Sequence, residues 1–139
     1  SLNRLRPGAL EGRTLKDALE KMIREYQTLS KLQVDLHYEW VDVDMDVMIE
    51  DTIFRVIQES MTNAVRHGHA SRMILHFFED EEDYLIELQD NGVGFETLTY
   101  GYGLKQMMER ISILGGQLQF ESRDGFFTRI SLPKYKEGR

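Results

Sequence analysis

The chain has 139 residues, 41% hydrophobic and 29% charged, and a formal net charge of −7. That length fits one domain with a substantial core, and the acidic balance argues against nucleic-acid binding, which needs a basic face. The chain has no cysteine, excluding a disulfide framework or thiolate metal site, and it shows neither an apolar run of membrane-spanning length nor a signal peptide.

Residues 1–13, SLNRLRPGALEGR, hold one proline, two glycines and no sustained period, and are expected to be an entry segment or linker to a single domain over 14–139. The chain opens with Ser1 rather than Met, which points to a fragment of something larger. A first helix is predicted from Thr14, with Asp17 three residues on as a capping-box partner. Its apolar stripe is Leu15, Ala18, Leu19, Met22, Ile23 and Tyr26. LQVDLHYEW then alternates, with Leu32, Val34, Leu36, Tyr38 and Trp40 on one face, the pattern of a half-buried strand. His37 falls on the wet face with Asp35 and Glu39.

A second helix is predicted over about 46–67, followed by two strands, SRMILHFFED and DYLIELQD, joined by a solvated acidic turn around Glu81 and Glu82. A glycine-rich loop leads to a third helix from about Leu104 to Leu114. GQLQFES and FFTRISLP close the chain as a hairpin ended by Pro133. Antiparallel hairpins beside helices imply an α+β fold, a two-layer sandwich with helices on one face of a mixed sheet.

The second helix carries candidate chemistry. At about 100° per residue, Ile53, Ile57, Met61 and Ala64 form the core face, while Glu59, Asn63, Arg66 and His67 gather on the other side. Such a polar face is compatible with a merely solvated surface. It also stacks a carboxylate, a carboxamide and a guanidinium, which together supply hard oxygens for Mg²⁺ and a phosphate clamp. Glycines 92, 94, 101 and 103 are compatible with ordinary turns or with a backbone wrapped around a ligand. A dinucleotide fingerprint needs a third glycine where Gln106 stands, and no Walker glycine-lysine-serine/threonine ending is present. His67 and His69 have no third ligand in the sequence, which argues against zinc.

Three stretches in order, QESMTNAVRHGHA, DNGVGF and GYGLKQMMERISILGG, resemble the N, G1 and G2 boxes of the catalytic and ATP-binding domain of sensor histidine kinases. The closing DGFFTRISLP resembles the final hairpin of that family. The match spans about 54 to 133, and the family's fold is the Bergerat-type ATP-binding fold shared with DNA gyrase B, the MutL repair proteins and a chaperone ATPase. The LRP near the start and the GL…ER…LGG pattern look most like kinases paired with LuxR-type response regulators.

The resemblance implies ATP and Mg²⁺ as cofactors and gives each position a role. Asn63 and Glu59 would be the catalytic and metal positions, Asn63 as the Mg²⁺ ligand and Glu59 ordering its water shell or coordinating nearby. Arg66 would reach the phosphates and His67 would border them. Asp90 would accept the exocyclic amine of adenine, joined by Thr128 through water, while Gly92 and Gly94 let the backbone pass close to the base. Gly101 and Gly103 would present N–H groups to the phosphates where the third helix begins. Tyr102, Leu104 and Lys105 are carried with them as nucleotide-binding positions. Only ETLTY separates the glycine clusters, so the lid is short, and Phe127 stands where the family usually has glycine.

The implied activity is phosphoryl donation from Mg-ATP to a histidine on a separate dimerisation and phosphoacceptor segment, for relay to a response regulator. The expected setting is cytoplasmic, with the parent kinase soluble or membrane-anchored, and this fragment is expected to touch neither nucleic acid nor membrane. Two rival readings are an anti-sigma-factor serine kinase of the same fold and a binding module that does not use nucleotide.

Overall fold

The computed structural model describes residue 10 and residues 12–41, 43–93 and 102–134, with backbone only for Tyr102. Helix α1 (Leu15–Leu29) begins at the expected cap, where the Thr14 hydroxyl accepts the Asp17 N–H at 3.1 Å. Its stripe Leu15, Ala18, Leu19, Met22 and Ile23 is buried, and Tyr26 packs at the core margin. Leu10 is fully buried as well, so the packed unit reaches upstream of Thr14.

Strand β1 (Gln33–Tyr38) alternates as its sequence dictates, and α2 (Val47–Arg66) starts at Asp46, whose carboxylate accepts the Met48 N–H at 2.7 Å. Trp40 lies past the end of β1 yet remains buried. Its indole N–H donates to the Phe78 carbonyl at 2.6 Å, and its ring packs edge-on to Phe77. Strands β2 (Arg72–Glu79) and β3 (Asp83–Asp90) form the first hairpin. Its acidic turn is closed by the Asp80 carboxylate, which accepts the N–H groups of Glu82 and Asp83. Helix α3 (Tyr102–Ile113) starts two residues before the predicted point, and strands β4 (Gln117–Ser122) and β5 (Phe126–Pro133) close the chain.

The five strands are ordered β1-β2-β3-β5-β4, with β1 parallel to β2 and the other pairs antiparallel. The parallel step is the one that needs a long crossover, and α2 provides it. Met73, Leu75, Phe77, Ile86, Leu88, Ile130 and Leu132 on one sheet face join the stripes of all three helices in one core. Fully burying side chains of this size stabilises by roughly 1.5–3 kcal/mol each. The two-layer α+β sandwich follows from that single covered face. The other face carries exposed ion pairs such as Arg72–Asp35 and Arg129–Glu87, which are worth little individually.

Candidate functional site

Ile53, Ile57, Met61 and Ala64 of α2 are buried as the angular argument requires. The covered arc is wider than that stripe and takes in Val56 and Ser60, with α3 packed on α2 where the Ser60 hydroxyl approaches the Met107 sulfur at 3.9 Å. Glu59 and Asn63 are consequently half-buried, whereas Arg66 and His67 at the end of the helix are exposed. The side chains of Glu59, Asn63 and Arg66 make no hydrogen bond or ion pair with other described residues. The Asn63 carbonyl accepts the N–H groups of His67 and Gly68 and closes the helix.

Asp90, the last residue of β3, is 6% exposed. Its Oδ1 accepts two main-chain N–H groups, Gly92 at 2.8 Å and Phe126 at 3.1 Å. Its Oδ2 takes no bond from a described residue. Burial pushes the carboxyl pKa up, against the opposing pull of the Gly92 and Phe126 N–H groups. Thr128 is 1% exposed and stands opposite Leu88, two residues before Asp90. Asp90 and Thr128 therefore share the helix-facing side of adjacent strands. Phe127 has the opposite parity. It pairs with Gln89 and Glu121 and is covered by the Arg123 guanidinium 4.0 Å from its ring centre. A bulky residue there leaves Thr128 on the site face.

The DNG loop is tied to the end of α2. The Val93 N–H donates to the Gly68 carbonyl at 3.0 Å, and a Cβ on Gly92 would lie 2.5 Å from that same oxygen. Gly92 is thus required by a protein–protein approach, in addition to the nucleotide approach expected of it. Asn91 anchors the other side: its Oδ1 accepts the N–H groups of Ser71 and Arg72, and its Nδ2 donates to the Ser71 hydroxyl.

At the flank of α2, the first turn of α3 meets Glu59. A Cβ on Gly103 would lie 3.0 Å from Glu59 Oε2, so this glycine admits a carboxylate to the positive end of the helix. Leu104 is buried and serves the core, whereas Lys105 is exposed. Gly94, Gly101 and the ETLTY lid lie outside the described residues, as does the side chain of Tyr102. A cleft of about 350 Å³ runs beside Glu59 and Gly103, lined also by Tyr26, Arg55, Thr62, Gln106 and Arg110. Its lining does not include Asp90 or Thr128.

The fold therefore gathers Glu59, Asn63, Arg66 and His67 along α2, with Gly103 at their flank and Gly92 and Asp90 reached through Gly68. Sequence reasoning did not single out Asn91, Gly68, Gln89 or Gly125 as parts of this arrangement; the Asp-Gly pair at 124–125 was the available signal for the last. It also missed Asp51, which is buried and paired to Arg55 at 2.9 Å, with Oδ1 taking no partner among the described residues. For Mg²⁺, the half-buried oxygen donors Glu59 and Asn63 fit in type. Among the described residues no group of three or more His, Cys, Asp or Glu is placed to hold a metal, and a cation held by one or two protein oxygens plus phosphates needs none.

The chain is 35% identical over 138 residues to the Salmonella typhimurium signal transduction histidine-protein kinase/phosphatase UhpB, covering 96% of this chain and 27% of that protein. It is 32% identical over 131 residues to the Bacillus subtilis sensor histidine kinase LiaS, covering 92% and 36% respectively. The chain thus spans about a quarter to a third of the length of these relatives. Among solved structures, the Acinetobacter baumannii histidine kinase AdeS superposes with a TM-score of 0.74 at 21% identity, over 87% of this chain and 65% of that one. The ATP-binding domain of PrrB from Mycobacterium tuberculosis gives 0.67 at 21% identity, over 86% and 93%. At such identities the likeness establishes the fold. The signature of the histidine kinase-, DNA gyrase B- and HSP90-like ATPases matches residues 48–136, from the start of α2 through β5, and the chain belongs to that family.

Proposed function

We propose that this chain binds Mg-ATP and donates the γ-phosphoryl group to a histidine on a separate dimerisation segment of a two-component sensor kinase. The observation that carries the reading is the placement of Asp90 at the end of β3, with one oxygen tied to main-chain N–H groups and the other taking no bond from a described residue, and with the loop after it tied to Gly68 just past α2. Asp90 accepts the adenine amine, with Thr128 beside it, which discriminates against guanine because guanine presents an oxygen there. Asn63 would hold Mg²⁺ through its side-chain oxygen, with Glu59 ordering the metal's water shell or coordinating nearby, while Arg66 and the start of α3 would take phosphate charge and His67 would border them. When bound, Mg²⁺ neutralises charge on the phosphates. Phosphoryl transfer depends mainly on positioning and charge neutralisation, which is why this set contains no protein nucleophile.

The four histidines do not suit the acceptor role. His37 and His76 face each other on the exposed sheet side, with His76 bonded to Glu39 at 2.8 Å. His67 caps α2, and His69 follows with a positive φ of 51°. None is followed directly by an acidic residue to take the proton of the attacking nitrogen. A LuxR-type response regulator and a cytoplasmic setting complete the proposal; no helix among the described residues is long and apolar enough to cross a membrane. Labelled ATP and Mg²⁺ mixed with this chain alone should give binding and slow hydrolysis at most. Adding the acceptor helices in trans should produce acid-labile phosphate on them. The same product forming at a comparable rate on the chain alone would overturn the reading.

A further inference from the structure

Asp90 is held from two sides, and the glycine loop is only one of them. From the other side, the tip of the β4–β5 hairpin reaches across and the Phe126 N–H donates to the same Oδ1 that Gly92 occupies. Gly125 makes this approach possible. Its φ is +132°, and a Cβ there would lie 2.0 Å from the Asp90 carbonyl oxygen and 2.9 Å from its carbon. Both the backbone angle and the contact demand glycine. On the opposite face of the sheet, Gln89 Nε2 donates to the Asp90 carbonyl at 2.7 Å and to the Arg123 carbonyl at 3.0 Å. One amide thus ties the end of β3 to the hairpin. Arg123 is fixed in turn by its pairing with Glu121 at 2.7 Å and its stacking on Phe127.

We infer that Gly125, the Phe126 main chain and Gln89 form a latch that fixes the orientation of the Asp90 carboxylate and thereby sets base selectivity. The latch commits Oδ1 to the protein and leaves Oδ2, which takes no bond from a described residue, as the acceptor for an exocyclic amine. A carboxylate without it is free to rotate and to bridge through water, a geometry that recognises an amine less well. Gly125 and Gln89 are positioning residues, and the inference rests on the reading of Asp90 as the adenine acceptor.

The test is calorimetric binding of ATP and of purine riboside triphosphate, which lacks the 6-amino group, to the wild type, Gly125→Ala, Gln89→Leu and Asp90→Asn. The wild type should prefer ATP by a factor on the order of ten to a hundred, the range expected for one well-made buried hydrogen bond to a charged group. Gln89→Leu and Gly125→Ala should shrink that preference by about fivefold or more, through weaker ATP binding, and leave the amine-free ligand within about twofold. A merely structural role would weaken both ligands alike. If Gly125→Ala does not fold, Gln89→Leu decides alone, because Gln89 lies on the outer sheet face away from the core. Equal weakening of both ligands, or full retention of the preference, in Gln89→Leu while Asp90→Asn abolishes it would overturn the latch and leave the adenine assignment standing. Retention of the preference in Asp90→Asn would overturn the adenine assignment itself, and the latch with it.

Discussion

The two ends of the site are built differently. At the β3 end, Asp90 is buried and receives two main-chain N–H bonds, and the glycines around it are fixed by approaches of 2.0–2.5 Å that no Cβ tolerates. Along α2, Glu59, Asn63 and Arg66 project from a rigid helix with no side-chain bonds to other described residues. The first arrangement is preorganised, so little ordering entropy would remain to be lost on binding the base proposed for it. The second is a set of charged and polar groups whose geometry is completed by the metal and phosphates they would hold. The base should therefore dominate selectivity, and α2 should dominate the rate of transfer.

The largest effect expected is at Asn63. Asn63→Ala removes a proposed Mg²⁺ ligand from a position that contributes nothing to the core. Transfer to an acceptor segment should fall by more than about a hundredfold, as expected when several kcal/mol of charge stabilisation are lost. Circular dichroism should be unchanged, and chelation of Mg²⁺ should mimic the variant. Near-normal transfer by a folded Asn63→Ala would erase the contrast between the two ends.

Asp90→Asn tests the preorganised end in two directions at once. ATP binding should weaken by roughly 1–3 kcal/mol, the cost of mispairing a buried polar group. Stability should move the other way. Burial raises the Asp90 pKa, so the folded chain holds this proton more tightly than the unfolded chain does. The stabilisation from that group is complete below the unfolded value and is lost as pH rises through the raised one. At neutral pH the buried charge is a burden that Asn lacks, so the variant should melt at a higher temperature than the wild type. Weaker binding together with a lower Tm would contradict this account of Asp90 as a site strained for function.

Much of this was legible in the sequence, for identifiable reasons. Strand and helix order followed from period alone, because α1 and β1 have clean stripes and the hairpins have short polar turns. The polar row of α2 was also visible at helical spacing. The half-burial of Glu59 was not, since it depends on α3 crossing beside it, and that crossing is a long-range contact with no local signature. The same holds for the partners of Gly92 and Gly125. A glycine announces that something comes close, but which backbone comes close is set by the pairing of β3 with β5 and by the return of the chain after α2. Phe127 shows the converse. Its departure from the family pattern drew attention in the sequence, yet strand parity sends it to the outer face, where Arg123 covers it.

Gly92→Ala probes the junction between the two ends. The added Cβ would meet the Gly68 carbonyl at 2.5 Å, backbone against backbone, so the loop or the end of α2 must shift. Overpacking of this kind costs roughly 1–3 kcal/mol, which should appear as a lower Tm in the ligand-free chain. An unchanged Tm would mean that the DNG loop is not braced on α2 in solution.

The smallest effect lies far from the site and serves as a control on it. Tyr38 on β1 is half-buried, packed on Phe77 with ring centres 5.0 Å apart. Its hydroxyl pKa is raised from 10.0 to about 12, chiefly by burial and secondarily by the nearby Glu50 carboxylate. The sign follows from linkage. The unfolded tyrosine ionises first, so the stability tied to its neutral form is intact below pH 10 and drains away as pH rises through the folded value near 12. Tyr38→Phe cannot ionise. Its stability should match the wild type at neutral pH to within a few tenths of a kcal/mol and decline less steeply in alkali. Comparing the two chains cancels the other tyrosines, which titrate in both. ATP selectivity should be the same in both at neutral pH, because Tyr38 touches neither Asp90 nor the α2 row. Parallel alkaline unfolding curves would show that the Tyr38 hydroxyl reaches water as freely in the fold as in the unfolded chain.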